Sequence, residues 1–245
     1  MENLELKTVR EIALEMPLST RVFEEFRIDY CCGGRKPFVE ACDIAGVKPE
    51  TVAARITESI AFNGAPTTEN FNELPLGLLV DHILEKHHLF TRSEIEQLTP
   101  LMEKVATRHG PRHSSLYILK SYVLTLFGDL VSHMAKEEAI LFPYLRELLG
   151  REGTVTAASP AFGSVRSPVD VMMGEHDRAG ELLKKIRAVA SDYTLPEGAC
   201  PSFTALFSRL EALEKDLHQH IHLENNILFP KAIELERRIY PLAVG

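Results

Sequence analysis

The 245-residue chain is 45% apolar and 25% charged, which is the composition of a folded globular protein and not of a disordered one. Its net charge of −8 and its lack of a basic run argue against nucleic acid or an anionic membrane as the main partner. No window approaches the roughly 20 apolar residues that span a bilayer, and the charged N-terminus is unlike a signal peptide. These features predict a soluble, cytoplasmic protein.

The first sixty residues predict a small helical domain. Cap residues, prolines and glycines divide this part into four short helices, over 8–15, 19–28 and 37–45 and from 49 onward. The segment 63–75 then loses periodicity and collects Gly, Pro, Thr and Asn, which is typical of a linker. We therefore predict an N-terminal helical domain over 1–62, a linker over 63–75 and a second domain over 76–245.

From residue 76 the pattern changes to long amphipathic helices, in which apolar residues recur in steps of three and four. Four such helices are predicted, over 76–105, 114–149, 168–191 and 201–238. Pro100 is a candidate break in the first, and Pro143 and Pro230 should kink or end their helices because proline lacks an amide hydrogen. Since no strand-like alternation of useful length appears, the fold is predicted to be all-α, with a four-helix bundle over 76–245.

Two stretches of the bundle are near copies of each other, His133–Pro143 and His220–Pro230. In each copy a histidine stands four residues before a glutamate, and Ile-Leu-Phe-Pro follows. Positions four apart lie on the same face of a helix, and both pairs fall on apolar stripes. A charged glutamate is rarely buried unless it is paired or bound to a metal. The copies therefore predict a two-metal site in the bundle, with ligands His133, Glu137, His220 and Glu224.

The repeat extends to a further pair of histidines. The spacing from His88 to His176 nearly equals the spacing between the histidines of the two copies, and both residues share a face with apolar neighbours. Each half of the bundle is thus a helix with one histidine, followed by a helix with a His-Glu pair. His87 sits about 100° round the helix from His88 and is a weaker candidate. His88 and His176 therefore join the predicted ligand set.

Four histidines and two glutamates leave one metal short of a ligand if both metals are near-octahedral. The remaining candidates are His109 and His113, at the turn between the first two long helices. Spacing alone favours neither of them. Imidazole and carboxylate ligands together suit iron or manganese.

A cysteine pair followed by two glycines, Cys31-Cys32-Gly33-Gly34, is the second feature with chemical meaning. Adjacent cysteines cannot close a relaxed disulfide, because their Cα atoms are only about 3.8 Å apart. The glycines permit a tight turn, and a helix N-terminus near residue 37 with two nearby cations would lower a thiol pKa. From the residues alone, a reactive pair and two small buried residues in a turn are equally good interpretations.

These motifs resemble those of known bacterial proteins. The bundle resembles hemerythrin-like di-iron proteins. The whole chain resembles the bacterial iron-sulfur cluster repair proteins of the YtfE and ScdA type, through Asp29–Gly34, Ser132-His133-Met134 and Leu223-Glu224-Asn225-Asn226. The resemblance implies two non-heme irons joined by an oxo group and two carboxylates. It implies Glu137 and Glu224 as the bridges and, selecting His109 over His113, five terminal ligands: His88, His109, His133, His176 and His220. Such a set would leave one open position for a small ligand.

The resemblance also implies a function. It predicts a repair factor, more than a turnover enzyme, that donates iron to iron-sulfur proteins damaged by nitrosative or oxidative stress. Cys31 and Cys32 would be redox or iron-handling thiols, and nitric oxide or dioxygen would be the small ligands. Two alternatives stay open: a hemerythrin-like scavenger of nitric oxide or dioxygen, and a di-iron nitric oxide reductase. The N-terminal domain favours repair, because a gas carrier has no need of it. The oligomeric state, with a homodimer as one option, is not fixed by the sequence.

Overall fold

The computed structural model describes residues 4–62, 70–153 and 163–241. Within these ranges the chain is helical and contains no β-strand, so the predicted all-α fold is confirmed. No helix of the described part is long and apolar enough to cross a membrane. Residues 63–69 of the predicted linker lie outside the described ranges.

The N-terminal part is a set of short helices. They are a 3-10 turn at Leu4–Leu6, α1 (Val9–Glu15), α2 (Ser19–Phe26), α3 (Phe38–Ala45) and α4 (Pro49–Phe62). Thr8 caps α1 in a capping box with Glu11, as its position predicts. Ser19 is the first residue of α2, and its hydroxyl donates to the carbonyl of Ile12. The apolar faces of these helices form a core of their own around Phe23 and Phe38.

The rest of the chain forms the four long helices of the bundle, three of which contain a π-helical segment. The first is α5 (Leu76–His82), a π segment at Ile83–His88 and α6 (Leu89–His109). The second is α7 (Ser115–Lys136), a π segment at Glu137–Leu141 and α8 (Phe142–Gly150). The third is α9 (Arg166–Val189), and the fourth is α10 (Pro201–Leu223), a π segment at Glu224–Leu228 and α11 (Phe229–Ile239).

The prolines do not end their helices, which was one of the two outcomes that the sequence predicted for Pro143 and Pro230. Pro100 lies inside α6, which continues through it to His109. One residue separates the end of a π segment from Pro143, and likewise from Pro230, and the helix continues beyond each proline. A proline leaves the carbonyl four residues earlier without its usual donor, and a wider turn is one way in which a helix accommodates that loss.

Contacts between Cα atoms divide the chain into two compact units. The first comprises Met1–Pro75 and Ile221–Pro230, and the second comprises Leu76–His220 and Lys231–Gly245. The sequence placed residues 221–230 with the bundle, whereas their contacts group them with the N-terminal part. The second unit has its own core, formed by apolar residues of the long helices from Leu98 to Leu217.

Candidate metal centre

The three π segments coincide with predicted metal ligands. His88 is the last residue of the first segment, Glu137 is the first residue of the second, and Glu224 is the first residue of the third. A π turn adds a residue to the helical turn and shifts the side chains that follow, and such turns are frequent at functional sites. The local backbone is therefore irregular where the ligands are presented.

Six of the predicted ligands converge in two groups of buried side chains. The first group is His88, Glu137, His220 and Glu224, and the second is His133, Glu137, His176 and Glu224. Within each group, ligand atoms of all four residues lie within 4.8 Å of one another. The two glutamates belong to both groups, while each pair of histidines belongs to one. A carboxylate shared in this way has one oxygen for each of two cations, which is the arrangement of a bridging ligand.

The surroundings of Glu137 fit a cation. Its side chain is 0% exposed, and its Oε2 lies 3.3 Å from the Nε2 atoms of both His88 and His133. Neither carboxylate oxygen takes part in a hydrogen bond with any residue of the described ranges. The Nε2 atoms of His133 and His176 lie 3.0 Å apart, so two lone-pair donors converge beside this carboxylate. Because a buried carboxylate without hydrogen bonds is costly, bound cations are the natural counter-charge here.

Two other buried glutamates of the second unit show how this protein satisfies a carboxylate without a metal. Glu214 is bonded by Arg187 and by the Tyr193 hydroxyl, at 2.9 and 2.7 Å. Glu236 accepts from the hydroxyls of Tyr144 and Ser164 and from the amide of residue 165, at 2.7 to 2.8 Å. Each of these carboxylates accepts hydrogen bonds from protein donors, whereas within the described ranges the oxygens of Glu137 accept none and have only the histidine nitrogens nearby. Glu137 therefore differs from these two carboxylates in the way expected of its predicted role as a metal ligand.

Two of the predicted ligand histidines have a carboxylate on the far side of the ring. Nδ1 of His88 lies 2.8 Å from Glu138, and Nδ1 of His133 lies 2.9 Å from Glu175. A carboxylate at Nδ1 holds the proton on that nitrogen and leaves the Nε2 lone pair for a metal. Burial raises the pKa of Glu138, but hydrogen bonds from Arg92 and His88 outweigh burial, and the net pKa is lowered. Glu138 is therefore anionic at neutral pH.

The pKa of Glu175 is lowered in the same way, because hydrogen bonds from Lys136 and His133 outweigh its burial. Sequence reasoning missed both Glu138 and Glu175. Glu138 is a quarter turn off the face of Glu137, and Glu175 precedes His176 on another helix. Neither position follows from the spacing of ligands along one helix.

His87 is buried beside the centre and was also underestimated. Its Nδ1 lies 3.0 Å from both carboxylate oxygens of Asp216, and its ring stacks on that of His220 with centroids 5.4 Å apart. It is not a member of either ligand group. His87 therefore packs against the predicted ligand His220, although it lies off the stripe of predicted ligands.

His109 is the one predicted metal ligand that the structure does not bring to the centre. It ends α6, and the 21 residues from His88 carry it about 30 Å along the helix axis. Its Nε2 lies 3.1 Å from the thiol of Cys200, and its ring packs on Phe203. His113, the other candidate, also packs on Phe203. The structure therefore groups neither His109 nor His113 with the other six predicted ligands, because the far end of the hairpin is remote from them.

The cysteine pair lies in a turn that Asp29 organises. The Oδ1 atom of Asp29 accepts hydrogen bonds from the amides of Cys31, Cys32 and Gly33, at 3.3, 3.0 and 2.9 Å. A side-chain carbon at Gly34 would lie only 2.6 Å from the Tyr30 carbonyl oxygen, so the turn requires glycine there. The predicted tight turn is present, and it brings the two Sγ atoms within 3.7 Å of each other.

The pKa of the Cys31 thiol is raised, whereas the sequence predicted a lowered thiol pKa in this turn. The hydrogen bond with Cys32 and burial raise the pKa of Cys31 well above its ordinary value, with the negative charge of Asp29 adding to the effect. Its side chain is only 6% exposed, whereas Cys32 is half-buried. Burial similarly raises the pKa of Cys42 to about 11. Cys31 is thus a protonated thiol at neutral pH unless a cation replaces its proton.

Within the first unit, the segment 221–230 is bonded to this turn through Asn226. The Asn226 side-chain amide donates to the Tyr30 carbonyl at 3.1 Å, and it lies 2.9 Å from Nδ1 of His222. Arg10 donates to the main-chain carbonyl of Asn226 at 3.1 Å. That carbonyl is available because Pro230, four residues later, has no amide hydrogen to offer it. Burial lowers the pKa of His222 to about 4, so its ring is neutral at this contact.

A helical bundle in which two histidine pairs share two buried carboxylates defines a cation-binding protein of the hemerythrin type. The model of the hemerythrin HHE cation binding domain matches residues 79–232, and the ScdA_N model, described as a domain of unknown function (DUF542), matches residues 5–60. Similar proteins include those of Salmonella choleraesuis (strain SC-B67) and Salmonella newport (strain SL254), each named iron-sulfur cluster repair protein YtfE. Each is 32% identical over 223 residues, which cover 91% of this chain and 94% of the relative. The chain belongs to this family of hemerythrin-like YtfE proteins.

Proposed function

We propose that the bundle holds two non-heme irons bridged by Glu137 and Glu224. The shared membership of these two carboxylates in both ligand groups is the observation that carries the proposal. His88 and His220 would hold one iron, and His133 and His176 would hold the other. Bound iron would supply redox activity and a binding position for nitric oxide or dioxygen. Histidine and carboxylate without thiolate is a donor set that suits iron.

Four terminal histidines, and not five, make this centre less saturated than the sequence suggested. Without His109, two near-octahedral irons bridged by two carboxylates and an oxo group would keep one additional open position. An iron with fewer protein ligands is released more readily. This supports a centre that gives up iron over a centre that only carries a gas.

We propose that the protein repairs iron-sulfur clusters damaged by nitrosative or oxidative stress, with iron as the cargo that it donates. The relatives named as repair proteins match nearly the whole chain, including the part that carries Cys31 and Cys32. In this proposal residues 76–245 store iron and residues 1–62 hand it on, with 63–75 as the linker. The four cysteines are free thiols, which fits a reducing compartment such as the cytoplasm.

The test is transfer of labelled iron. Full-length protein loaded with ⁵⁷Fe is mixed with a [4Fe–4S] enzyme whose cluster has been damaged by nitric oxide, in the presence of sulfide and a thiol reductant. The proposal expects the enzyme to regain activity and its rebuilt cluster to contain ⁵⁷Fe. If the enzyme regained activity with a rebuilt cluster that lacked ⁵⁷Fe, at the rate that free ferrous iron gives, iron donation by the protein would be contradicted.

Binding or consumption of nitric oxide without transfer of ⁵⁷Fe would instead favour the scavenger or the reductase. A matched control is the double variant Glu137→Gln with Glu224→Gln, which keeps the side-chain shapes and removes both bridging charges. It should neither hold nor deliver labelled iron.

A further inference from the structure

The cysteine turn brings together side chains that could hold a metal ion. We propose that the thiolates of Cys31 and Cys32 chelate one thiophilic divalent cation, separate from the histidine and carboxylate centre. This proposal deepens the proposed repair function. If that function holds, the natural ion of the chelate is ferrous iron. The chelate itself rests on the geometry of the turn alone.

The distance between the two sulfurs fits binding of a single ion. Thiolates bind zinc-like ions at about 2.3 Å, so two sulfurs at neighbouring corners of a tetrahedron around one ion lie about 3.8 Å apart. The two Sγ atoms of the pair are 3.7 Å apart. The pair therefore matches the edge of a tetrahedral site before any ion binds. Adjacent cysteines do not approach in this way by default, because alternate side chains of an extended chain point to opposite sides.

The turn that carries the thiols is held by hydrogen bonds. Three successive amides point at Oδ1 of Asp29, which fixes the backbone that carries both thiols. A carboxylate oxygen of Asp29 also lies close enough to the two sulfurs to form, with them, the third metal-capable group of the described residues. Since Oδ1 already accepts three main-chain hydrogen bonds, we assign Asp29 the role of positioning the thiols and countering the charge of the ion. The protein ligands are then the two sulfurs.

A site with two protein ligands suits an ion in transit. Closed structural sites surround zinc with four protein ligands, whereas this pair leaves two positions for solvent or for thiolates of an acceptor protein. Cys32 is half-buried and gives access from solvent, while Cys31 is buried. When the ion binds, one dication replaces two thiol protons. When the ion is transferred, the dication passes to the acceptor protein and two protons return to the thiols. No electron is exchanged in either step.

The chelate is tested with Zn²⁺ as the probe, because its X-ray absorption edge is distinct from that of iron. Full-length, iron-loaded protein receives one equivalent of Zn²⁺, and the absorption fine structure at the zinc edge counts its ligands. We expect two sulfurs at about 2.3 Å, with oxygen or nitrogen completing the shell. The double variant Cys31→Ser with Cys32→Ser should show no sulfur and at least a tenfold weaker affinity. The matched control Cys42→Ser should keep both sulfurs.

Zinc bound only by oxygen and nitrogen in the unaltered protein would overturn the chelate. An unchanged sulfur count in the double variant would also overturn it, because other cysteines would then be the ligands. Retention of one sulfur in each single serine variant would support it. The test is independent of repair: two zinc–sulfur contacts without ⁵⁷Fe transfer would refute the proposed function alone, and transfer by the double variant would refute the role of the chelate in it.

Discussion

The two copies of the His-Glu motif, His133–Pro143 and His220–Pro230, have kept the same ligand geometry while their neighbouring residues have taken different tasks. In both copies a glutamate opens a π segment four residues after a histidine, and a proline follows that segment. Both glutamates are completely buried and belong to both ligand groups. The shared part of the copies is the part that presents the predicted metal ligands.

The residues after each glutamate show the difference. The first copy has Glu138, whose carboxylate bonds to His88 and Arg92. The second copy has two asparagines there, and Asn226 bonds to the carbonyl of Tyr30 beside the cysteine pair. One copy therefore orients another ligand of the centre, and the other copy holds the cysteine turn. The difference teaches that a duplicated motif can keep its ligands and still divide its supporting roles.

Removing a bridge should have the largest effect and should be alike in both copies. Glu137→Gln or Glu224→Gln keeps the side-chain volume but replaces a bridging anion by a neutral amide. We expect iron, measured by elemental analysis, to fall from two per chain to one or fewer. The control Glu147→Gln, at an exposed position of α8, should keep both irons. If only one of the two copies lost iron, the carboxylates would not be equivalent bridges.

Removing an orienting carboxylate, Glu138 of the first copy or Glu175 of α9, should have an intermediate effect. Glu138→Gln and Glu175→Gln leave every ligand in place but weaken the hold on Nδ1 of His88 and His133. We expect roughly 10- to 100-fold weaker iron retention in competition with a chelator. Glu181→Gln, which alters another charged residue of α9, serves as the control. A loss as large as that of Glu137→Gln would mean that Glu138 or Glu175 is itself a ligand.

Exchanging the asparagine should affect the second copy without touching the metals. Asn226→Ala gives the second copy the residue of the first, Ala139, and removes the hydrogen bond to Tyr30. We expect a loss of about 1 to 3 kcal/mol in the free energy of unfolding and faster amide exchange at Cys31, Cys32 and Gly33, with iron content unchanged. The reciprocal change Ala139→Asn, at an exposed position, should be nearly silent. Unchanged amide exchange in Asn226→Ala would show that Asn226 does not hold the turn.

The smallest effect is expected at His109, which neither copy uses. His109→Ala should leave iron content and the visible spectrum unchanged, because its ring contacts Cys200 and Phe203. His88→Ala, at the other end of the same helix, should lower iron content. Equal losses in the two variants would return His109 to the ligand set.

The fold and most of the centre followed from the sequence, because a bundle repeats its apolar and ligand positions in steps that the chain displays directly. His88, His133, Glu137, His176, His220 and Glu224 could be placed in this way, and the structure brings all six together. The histidine at the turn could not, since the turn has no periodicity to fix its distance from the ligands. The orienting carboxylates could not either, because Glu175 reaches His133 from a different helix. The raised pKa of Cys31 depends on burial and on the approach of Cys32, which only the folded turn defines.

The central claim is that two irons share Glu137 and Glu224. Mössbauer spectroscopy of the full-length oxidised protein, loaded with ⁵⁷Fe, tests it most directly, together with the iron content of the same sample. The account predicts two irons per chain whose spins are antiferromagnetically coupled through shared bridges, giving a diamagnetic ground state. A single iron per chain, or two irons with the magnetic spectra of isolated ferric ions, would contradict it.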